Sequence, residues 1–415
     1  MSDQHIDPTL LRGLVNRRLG RRNVLRAAGI GATAAGLAAC GVKGKATGKP
    51  TQAPDQVAKF WAGKVAGTHI DFANWPLYMD PKHPELKKFT EQTGMSVTYK
   101  EVINDDAEWF AKIRPQLAAH QSIGYDLMVM TDGVEFQECV ELGFYAPLDH
   151  SKLTNFAANA APKYKVESFD KNNVYSAPWA SGITGIGYNP KYVKTPPTGM
   201  HDLLNPAYRG KVGMMSDTQE IGNFAMMALG ITPETSTATD WQKAAQWLTD
   251  QRNSGVVRSY YDQDYISHLA NGDVWISMSW SGDIFQQNAS SGSNLKFVIP
   301  SEGGTLWTDN MVIPITAANP VGAMQLIDFF YDPAIAASLA EYINYITPVP
   351  AAQAVISADA AAASGDDKAA LEMVASSALV FPSASDYAKL HYYRNFKTPA
   401  EHQQYQAIFN PIVTS

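Results

Sequence analysis

The residues of this chain that could bind a charged ligand are tryptophans and acids placed a few positions apart. Trp307 and Asp309 stand two residues apart in the segment WTDN, just before the apolar run MVIPI. Successive side chains of a strand point to opposite faces of a sheet, so residues two apart share one face. An indole face attracts an ammonium group, and a carboxylate hydrogen-bonds to it. This pair therefore has the chemistry of one wall of a site for an organic cation.

Similar groups of aromatic and acidic residues follow other predicted strands. Trp280 and Asp283 follow the run VWISMS, and Asp217 and Glu220 follow KVGMM. The remaining aromatic candidates are Trp75 and Tyr78, which follow HIDFA, and Tyr345, which lies in NYITPVP. Ligands of open α/β sheets bind outside the carboxyl ends of the strands. The pattern predicts that these groups meet at one site.

Each group also has a purely structural interpretation. Tryptophan and tyrosine side chains commonly pack in cores or at their rims. Asp217 and Glu220 have the spacing of a helix N-cap and its reciprocal partner ahead of the run IGNFAMMAL. Asp283 follows Gly282 and fits a turn. The residues alone leave these alternatives open.

The order of the predicted elements indicates an α/β fold. From residue 68, short strands such as THIDFANW and YDLMVM alternate with helices such as PELKKFTEQTG and DWQKAAQWLTDQRN. This alternation is typical of largely parallel sheets. The helix in DAEWFAKIRPQLAAHQ is predicted to bend or end near Pro115. The segments SAPWASGITGIGYNP and EGGTLWTDNMVIP are predicted to cross between two lobes.

Composition and charge argue against two classes of partner for the body of the chain. The 415 residues are 45% hydrophobic and 18% charged, which suits a globular protein. A formal net charge of -7 argues against a nucleic-acid partner. No run after residue 50 approaches the roughly 20 apolar residues that a membrane-spanning helix needs.

The first forty residues have the pattern of an export signal. GRRNVLRAAGIGATAAGLAAC has a basic start and a short apolar run that ends in cysteine. The arginine pair is similar to a twin-arginine signal, and LAAC is similar to a bacterial lipobox. We therefore expect residues 1–39 to be a signal peptide, Cys40 to be lipidated and residues 40–66 to form a flexible tether. An uncleaved amphipathic tail is the alternative. With Cys40 lipidated, Cys139 has no disulfide partner.

From about residue 68 to 355 the chain resembles the spermidine/putrescine-binding proteins of bacterial ABC importers. The segments DFANWPLY, YDLMVMTD, MMSDTQE, SWSGD, EGGTLWTDNMVIP and YINYITPVP fall in that family's order and approximate spacing. The resemblance implies a two-lobed periplasmic-binding-protein fold of type II-like form, with crossover strands between the lobes. The implied parts are 67–182 in lobe 1, 183–306 in lobe 2, 307–355 back in lobe 1, and 356–415 as C-terminal helices mainly of lobe 2.

The resemblance also implies roles for the site residues. The rings that would box a methylene chain are those of Trp75, Tyr78, Trp280, Trp307 and Tyr345. The carboxylates that would bind amino groups are those of Asp217, Glu220, Asp283 and Asp309.

The chain departs from the family pattern at four positions. Thr131 stands where the family often has a serine and would donate the same hydrogen bond. Asp132 is either a further carboxylate or a turn residue, and Gly133 stands where an aromatic ring is often found. Pro76 replaces a residue that often carries a hydroxyl. These changes leave the exact amine open.

The implied function is the capture of a polyamine outside the cytoplasmic membrane and its delivery to an ABC permease. We expect a lipid-anchored monomer with no catalysis, no cofactor and no metal. A receptor for a sugar on the same fold is one alternative, although neutral sugars would not explain so many acids. A ferric-ion receptor is another, because Tyr260, Tyr261 and Tyr265 are close in SYYDQDY. A glycosidase could also use paired carboxylates, although the chain has no HExxH or GxSxG motif.

Overall fold

The computed structural model describes residues 54–103 and 106–414 of the chain. The predicted signal peptide and Cys40 lie outside these residues. Within the predicted tether, Pro54–Trp61 forms a helix, α1. The indole Nε1 of Trp61 donates to the carbonyl of Pro147 at 2.8 Å, and Phe60 and Trp61 pack against the core of the first lobe. The tether prediction is therefore wrong for this helix, because its two aromatic rings are bound to the domain.

The remaining elements follow in two parts. The first part contains β1 (His69–Asn74), α2 (Pro84–Thr93), β2 (Ser96–Glu101), α3 (Asp106–Ala118), β3 (Leu127–Thr131), α4 (Val134–Glu141) and α5 (Thr154–Asn159). The second part contains β4 (Ser176–Tyr188), β5 (Val212–Met215), α6 (Thr218–Ala228), α7 (Ala238–Asn253), β6 (Val257–Tyr261), α8 (Tyr265–Asn271), β7 (Ile276–Trp280), α9 (Ser281–Ser291) and β8 (Lys296–Val298).

The chain then returns to the first part and ends in helices. These last elements are β9 (Gly304–Val312), α10 (Pro320–Phe330), α11 (Pro333–Ile343), α12 (Ala352–Ala362), α13 (Gly365–Ser376), α14 (Ala384–Tyr387), β10 (Leu390–His391) and α15 (Pro399–Val413).

A single sheet runs through both lobes of the described chain. Its strand order is β2-β1-β3-β9-β4-β7-β5-β6, with β8 paired to β4 and β10 paired to β9. The strands β1, β2 and β3 are parallel in lobe 1, and β5, β6 and β7 are parallel in lobe 2. The long strands β4 and β9 are antiparallel to each other and join the two groups. The α/β fold with crossover strands is confirmed.

Each lobe has its own apolar core. The lobe 1 core contains Phe72, Leu127 and Met311 among many others, and the lobe 2 core contains Met214, Phe224 and Met278. Burial of such side chains stabilises a fold by about 1.5–3 kcal/mol each. The crossover strands therefore connect two units that are each held by their own packing.

The predicted crossover segment SAPWASGITGIGYNP and the helix predicted to bend or end near Pro115 are both continuous in the structure. Ser176–Tyr188 is one strand of 13 residues. Pairing with β9 along its first part and with β7 along its last part keeps it extended. Helix α3 also continues through Pro115, and Ala119 still donates to the Pro115 carbonyl at 3.1 Å.

The C-terminal segment divides between the lobes. Helices α12 and α13 pack with α11, and Ile356 and Val374 belong to the lobe 1 core. Helix α15 packs on α6 and α7, and Tyr405 and Phe409 belong to the lobe 2 core. The expectation that 356–415 lies mainly on lobe 2 therefore fits α15 but not α12 and α13, whose apolar faces fill lobe 1.

Asp170 fixes the start of β4. Its buried carboxylate accepts hydrogen bonds from the backbone N–H groups of Val174 at 3.0 Å, Tyr175 at 2.9 Å and Ser176 at 2.8 Å. The hydroxyl of Ser176 donates to it as well, at 2.8 Å. Burial raises the pKa of Asp170, and the hydrogen bonds lower it in part.

We expect Asp170→Ala to lower the free energy of unfolding by about 3 kcal/mol or more, because several backbone donors lose a charged acceptor. Asp149→Ala is the matched control, since Asp149 is half-buried and its side chain accepts, among the described hydrogen bonds, only from the N–H and hydroxyl of Ser151. The control should lose about 1 kcal/mol or less. Urea denaturation measures both, and equal losses would show that Asp170 does not fix β4.

Candidate ligand-binding site

The pairing of the crossover strands places the predicted site residues on one face of the sheet. Thr131 of β3 is paired with Asp309 of β9, and Gly182 of β4 is paired with Trp307. Paired residues on neighbouring strands have side chains on the same face. Thr184, two residues after Gly182, lies on this face too. We call this the site face, and the opposite side of β4 and β9 the reverse face.

Trp307 lies flat across β4 because Gly182 has no side chain. A Cβ atom at Gly182 would lie 2.1 Å from Cζ2 of the indole. The centroid of the Trp307 ring is 5.3 Å from that of Tyr345, which is 6.1 Å from that of Tyr78. These three rings form a continuous aromatic wall beside the crossover strands.

Asp309 is held by two hydroxyl groups. Tyr78 donates to Oδ2 at 2.5 Å, and Thr131 donates to Oδ1 at 2.7 Å. Burial raises the pKa of Asp309 to about 6, although both hydrogen bonds oppose the shift. The carboxylate is therefore a buried charge with no cation of the protein bonded to it among the described residues.

Glu220 lies on the same face at the lobe 2 end. Its Oε1 accepts from the Thr184 hydroxyl at 2.6 Å and from the indole N–H of Trp280 at 2.9 Å. Its Oε2 is buried and has no hydrogen-bond partner within the described part of the chain. Burial, and next the charge of Asp217, raise the pKa of Glu220 to about 7. Tyr393 lies beside this carboxylate.

The capping interpretation of this segment holds for only one of its two acids. Asp217 is the N-cap of α6, and its Oδ1 accepts from the N–H groups of Gln219 at 2.7 Å and Glu220 at 2.9 Å. The Glu220 side chain instead turns to Thr184 and Trp280. One acid therefore begins the helix, and the other reaches the site face.

Asp283 forms a hydrogen bond that crosses between the lobes. Its Oδ1 accepts from the hydroxyl of Tyr345, which belongs to lobe 1, at 3.3 Å. Its Oδ2 accepts from Tyr265 at 3.1 Å, and the Tyr265 oxygen accepts from the backbone N–H of Trp280 at 2.9 Å. Asp283 lies in the first turn of α9, so the turn interpretation is wrong.

Most of the predicted residues are thus joined by hydrogen bonds or ring contacts, and three lie elsewhere. Asp217 is an exposed cap. Asp132 is buried toward the reverse face, where its Oδ1 accepts from the N–H of Thr308 at 2.5 Å. Trp75 packs against two apolar clusters of lobe 1, and its buried indole N–H has no hydrogen-bond partner among the described residues.

Sequence reasoning missed two polar neighbours of the site, Thr184 and Tyr393. It assigned a third neighbour, Tyr265, to a ferric-ion alternative together with Tyr260 and Tyr261. These two are consecutive in β6, so their side chains point to opposite faces. The Tyr265 hydroxyl is bound to Asp283 instead. The three tyrosines therefore do not converge on one ion.

Comparison with known proteins identifies the family. The family model of bacterial extracellular solute-binding proteins matches residues 86–366. The chain belongs to this family. The spermidine/putrescine-binding periplasmic protein of Escherichia coli is 32% identical over 295 residues, which are 70% of this chain and 80% of the relative. A putrescine-binding periplasmic protein of Pseudomonas aeruginosa is 29% identical over 320 residues, 71% of this chain and 84% of the relative.

Solved structures of this family have the same fold. A spermidine/putrescine substrate-binding protein of Streptococcus pneumoniae superposes with a TM-score of 0.71 at 24% identity, over 83% of this chain and 98% of that one. A Treponema pallidum lipoprotein superposes with a TM-score of 0.67 at 21% identity, over 83% and 99% of the two chains. The family predicted from the sequence motifs and its two-lobed fold are confirmed. In the part of the chain that the structure describes, no helix could cross a membrane.

The raised pKa values predict how stability depends on pH in the ligand-free protein. The pKa values of Glu220, about 7, and Asp309, about 6, lie above those of the unfolded chain. Their contribution to stability is complete below pH about 4 and is lost as the pH rises through 6 and 7. From pH 5 to 8 the wild type should therefore lose more free energy of unfolding than Glu220→Gln, by on the order of 1–3 kcal/mol.

The matched control is Asp386→Asn, because hydrogen bonding with Ser383 lowers the pKa of that carboxyl. Its effect on stability should be constant between pH 5 and 8. Thermal unfolding across this range measures all three proteins. Parallel curves for the wild type and Glu220→Gln would mean that the Glu220 pKa is not raised.

Proposed function

We propose that the protein is an extracytoplasmic receptor that captures a polyamine of the putrescine or spermidine type and delivers it to an ABC permease. The observation that carries this proposal is the set of buried carboxylates beside an aromatic wall. Asp309, Glu220 and Asp283 accept hydrogen bonds from hydroxyl and indole groups, and Glu220 keeps one buried oxygen without a partner. A buried carboxylate is costly unless a cation accompanies it. Ammonium groups of a ligand would supply that charge.

The spacing of the carboxylates favours a ligand with separated charges. Asp309 is paired with Ala180, and Glu220 is bonded to Thr184, four residues further along β4. Four residues of a strand span about 13 Å. Trp307 is paired with Gly182, so its indole lies between the position of Asp309 at Ala180 and that of Glu220 at Thr184. A cation at each end and a methylene chain across the indole would match this order of groups, and the names of the Escherichia coli and Pseudomonas aeruginosa relatives support the same ligand class.

Contacts between the lobes support a closing mechanism. Tyr345 of lobe 1 bonds to Asp283 of lobe 2, and the side-chain amide of Gln286 donates to the carbonyl of Ile343 at 2.9 Å. A ligand enclosed by both lobes needs them to separate before it can leave. The proposed hinge lies in the crossover segments 182–186 and 304–308. The receptor would act as a monomer without a cofactor, and we propose no catalytic step.

A calorimetric screen tests the ligand class. The panel is putrescine, cadaverine, spermidine, spermine, agmatine and common sugars. At least one polyamine should bind, and high salt should weaken the binding only modestly, because salt screens buried charge pairs little. Binding of a sugar with no response to any amine would overturn the proposal.

Two substitutions separate the contributions of charge and packing. Asp309→Asn keeps the shape but removes a charge, so amine affinity should fall about ten- to a hundred-fold. Trp307→Ala should lose a cation–π contribution of about 0.5–2 kcal/mol together with contact area. Asp309→Asn should not lower the stability of the ligand-free protein, because the pKa of that buried carboxyl is raised.

The matched control is Asp332→Asn, since Asp332 is the N-cap of α11 and accepts from Ala334 and Ile335. It should lower the melting temperature slightly and leave amine affinity unchanged. Calorimetry measures the amine affinity of the three variants, and thermal unfolding measures their stability. An Asp309→Asn protein that binds amines as the wild type does would remove Asp309 from the site.

We further propose that Cys40 anchors the mature protein on the outer face of the cytoplasmic membrane. The basic start, short apolar run and LAAC ending of the first forty residues support this. Cys40→Ala should release the protein to the soluble or secreted fraction, because no acyl chain would remain. Fractionation and immunoblotting of both forms in the native host would show this. A variant that stays as membrane-bound as the wild type would contradict the lipidation.

A further inference from the structure

The reverse face of the crossover strands carries a second group of aromatic rings and acids, and a lysine fills it. The Lys163 Nζ lies 4.2 Å from the ring centroid of Tyr164, 4.2 Å from that of Tyr387 and 5.9 Å from that of Tyr392. This ammonium is buried and has no hydrogen-bond partner within the described residues. Its surroundings are therefore mainly π-faces rather than acceptors. We call these four residues the lysine cage.

Two buried carboxylates supply the negative charge around the lysine cage. Glu167 and Asp132 both raise the pKa of Lys163, while burial lowers it to about 8. Glu167 lies beside Tyr392, and Asp132 is bonded to the backbone of Thr308. Cation–π attraction strengthens when the ammonium is removed from water. The free-energy cost of desolvating the Lys163 ammonium is thus offset by the aromatic rings and by the two carboxylates.

The lysine cage joins two parts of the chain that belong to different lobes. Lys163 lies in a short 3-10 helix, Pro162–Lys165, that is bound to lobe 1 through the hydrogen bond from Ala161 N–H to the carbonyl of Pro348, 2.9 Å. Tyr387 and Tyr392 come from the C-terminal segment.

Lobe 2 holds this C-terminal segment at Glu234. The carboxylate of Glu234 accepts from the N–H of Tyr392 at 2.8 Å and lies 3.1 Å from Nδ1 of His391. The segment also pairs with the lobe 2 end of β9, where Leu390 is opposite Gly304. The lysine cage is therefore one point where lobe 1 contacts an element fixed to lobe 2, and the ring of Phe169 contacts Tyr392 beside it.

The same segment reaches the site face. Tyr392 belongs to the lysine cage, and the next residue, Tyr393, lies beside Glu220. We propose that Lys163 is a positioning residue, which holds residues 387–393 across the back of the hinge and thereby sets ligand affinity at Glu220. Only the effect on affinity rests on the proposed polyamine function.

Hydrogen exchange of the ligand-free full chain tests whether Lys163 holds residues 387–393 in place. Putrescine calorimetry tests whether this contact affects ligand affinity. Lys163→Met keeps the length of the side chain but removes the charge. Amides of residues 387–393 should exchange about tenfold faster, because the segment loses the cation that holds Tyr387 and Tyr392 to lobe 1. Putrescine affinity should fall about three- to tenfold, and Lys163→Arg should restore part of both effects. The matched control is Lys165→Met, because Nζ of Lys165 reaches only the carbonyl of Ala157, at 2.6 Å, in the described hydrogen bonds.

The outcomes separate the lysine cage from the polyamine site. Unchanged exchange in Lys163→Met would overturn the proposal, and so would faster exchange spread equally over α6 and β4, which would indicate general destabilisation. Faster exchange confined to 387–393 with unchanged putrescine affinity would overturn the link to Glu220. If the wild type binds no amine at all, the proposed function fails, while local exchange still decides whether Lys163 holds the segment.

Discussion

The antiparallel pairing of β4 with β9 is the contact on which the rest of the structure depends. It is the connection through which one sheet continues from the parallel strands of lobe 1 to those of lobe 2. Because paired residues share a face, this pairing places Gly182 and Thr184 on the same face as Trp307 and Asp309, and the pairing of β3 with β9 adds Thr131. A slip of one residue between β4 and β9 would turn the β4 side chains to the reverse face and separate Thr184 from Trp307 and Asp309. The architecture and the site thus depend on the same register.

Buried acids lie on both faces of the paired strands, and their partners differ between the two faces. On the site face, Asp309 and Glu220 receive hydrogen bonds from neutral donors, which orient the carboxylates but do not neutralise them. Burial raises the pKa values of both carboxyl groups, and these hydrogen bonds lower them only in part. On the reverse face, Asp132 and Glu167 lie near the ammonium of Lys163. On the proposed function, the site face would need to lack a permanent cation, since a resident lysine would compete with the ligand.

The sequence predicted the features that depend on local pattern and missed those that depend on pairing. Alternating strands and helices, the cap at Asp217 and the shared face of Trp307 and Asp309 all follow from spacings of a few residues. The sequence predicts Glu220 as a candidate, but its contact with Thr184 joins helix α6 to strand β4 across 36 positions. Tyr393 lies two residues after β10, which pairs with β9. A single sequence does not reveal such pairings. The aromatic residues after 355 lie beyond the motifs that resemble the family, so no motif marked them as site residues.

The division of the C-terminal segment gives these missed contacts a common physical cause. Helices α12 and α13 complete the core of lobe 1, and α15 completes that of lobe 2, so the chain between them must cross from one lobe to the other. This crossing segment contains Tyr387, Tyr392 and Tyr393. Large amphipathic rings suit it, because each can pack its apolar body while its hydroxyl reaches a buried acid. This last crossing between the lobes thus contributes Tyr387 and Tyr392 to the reverse face and places Tyr393 beside Glu220.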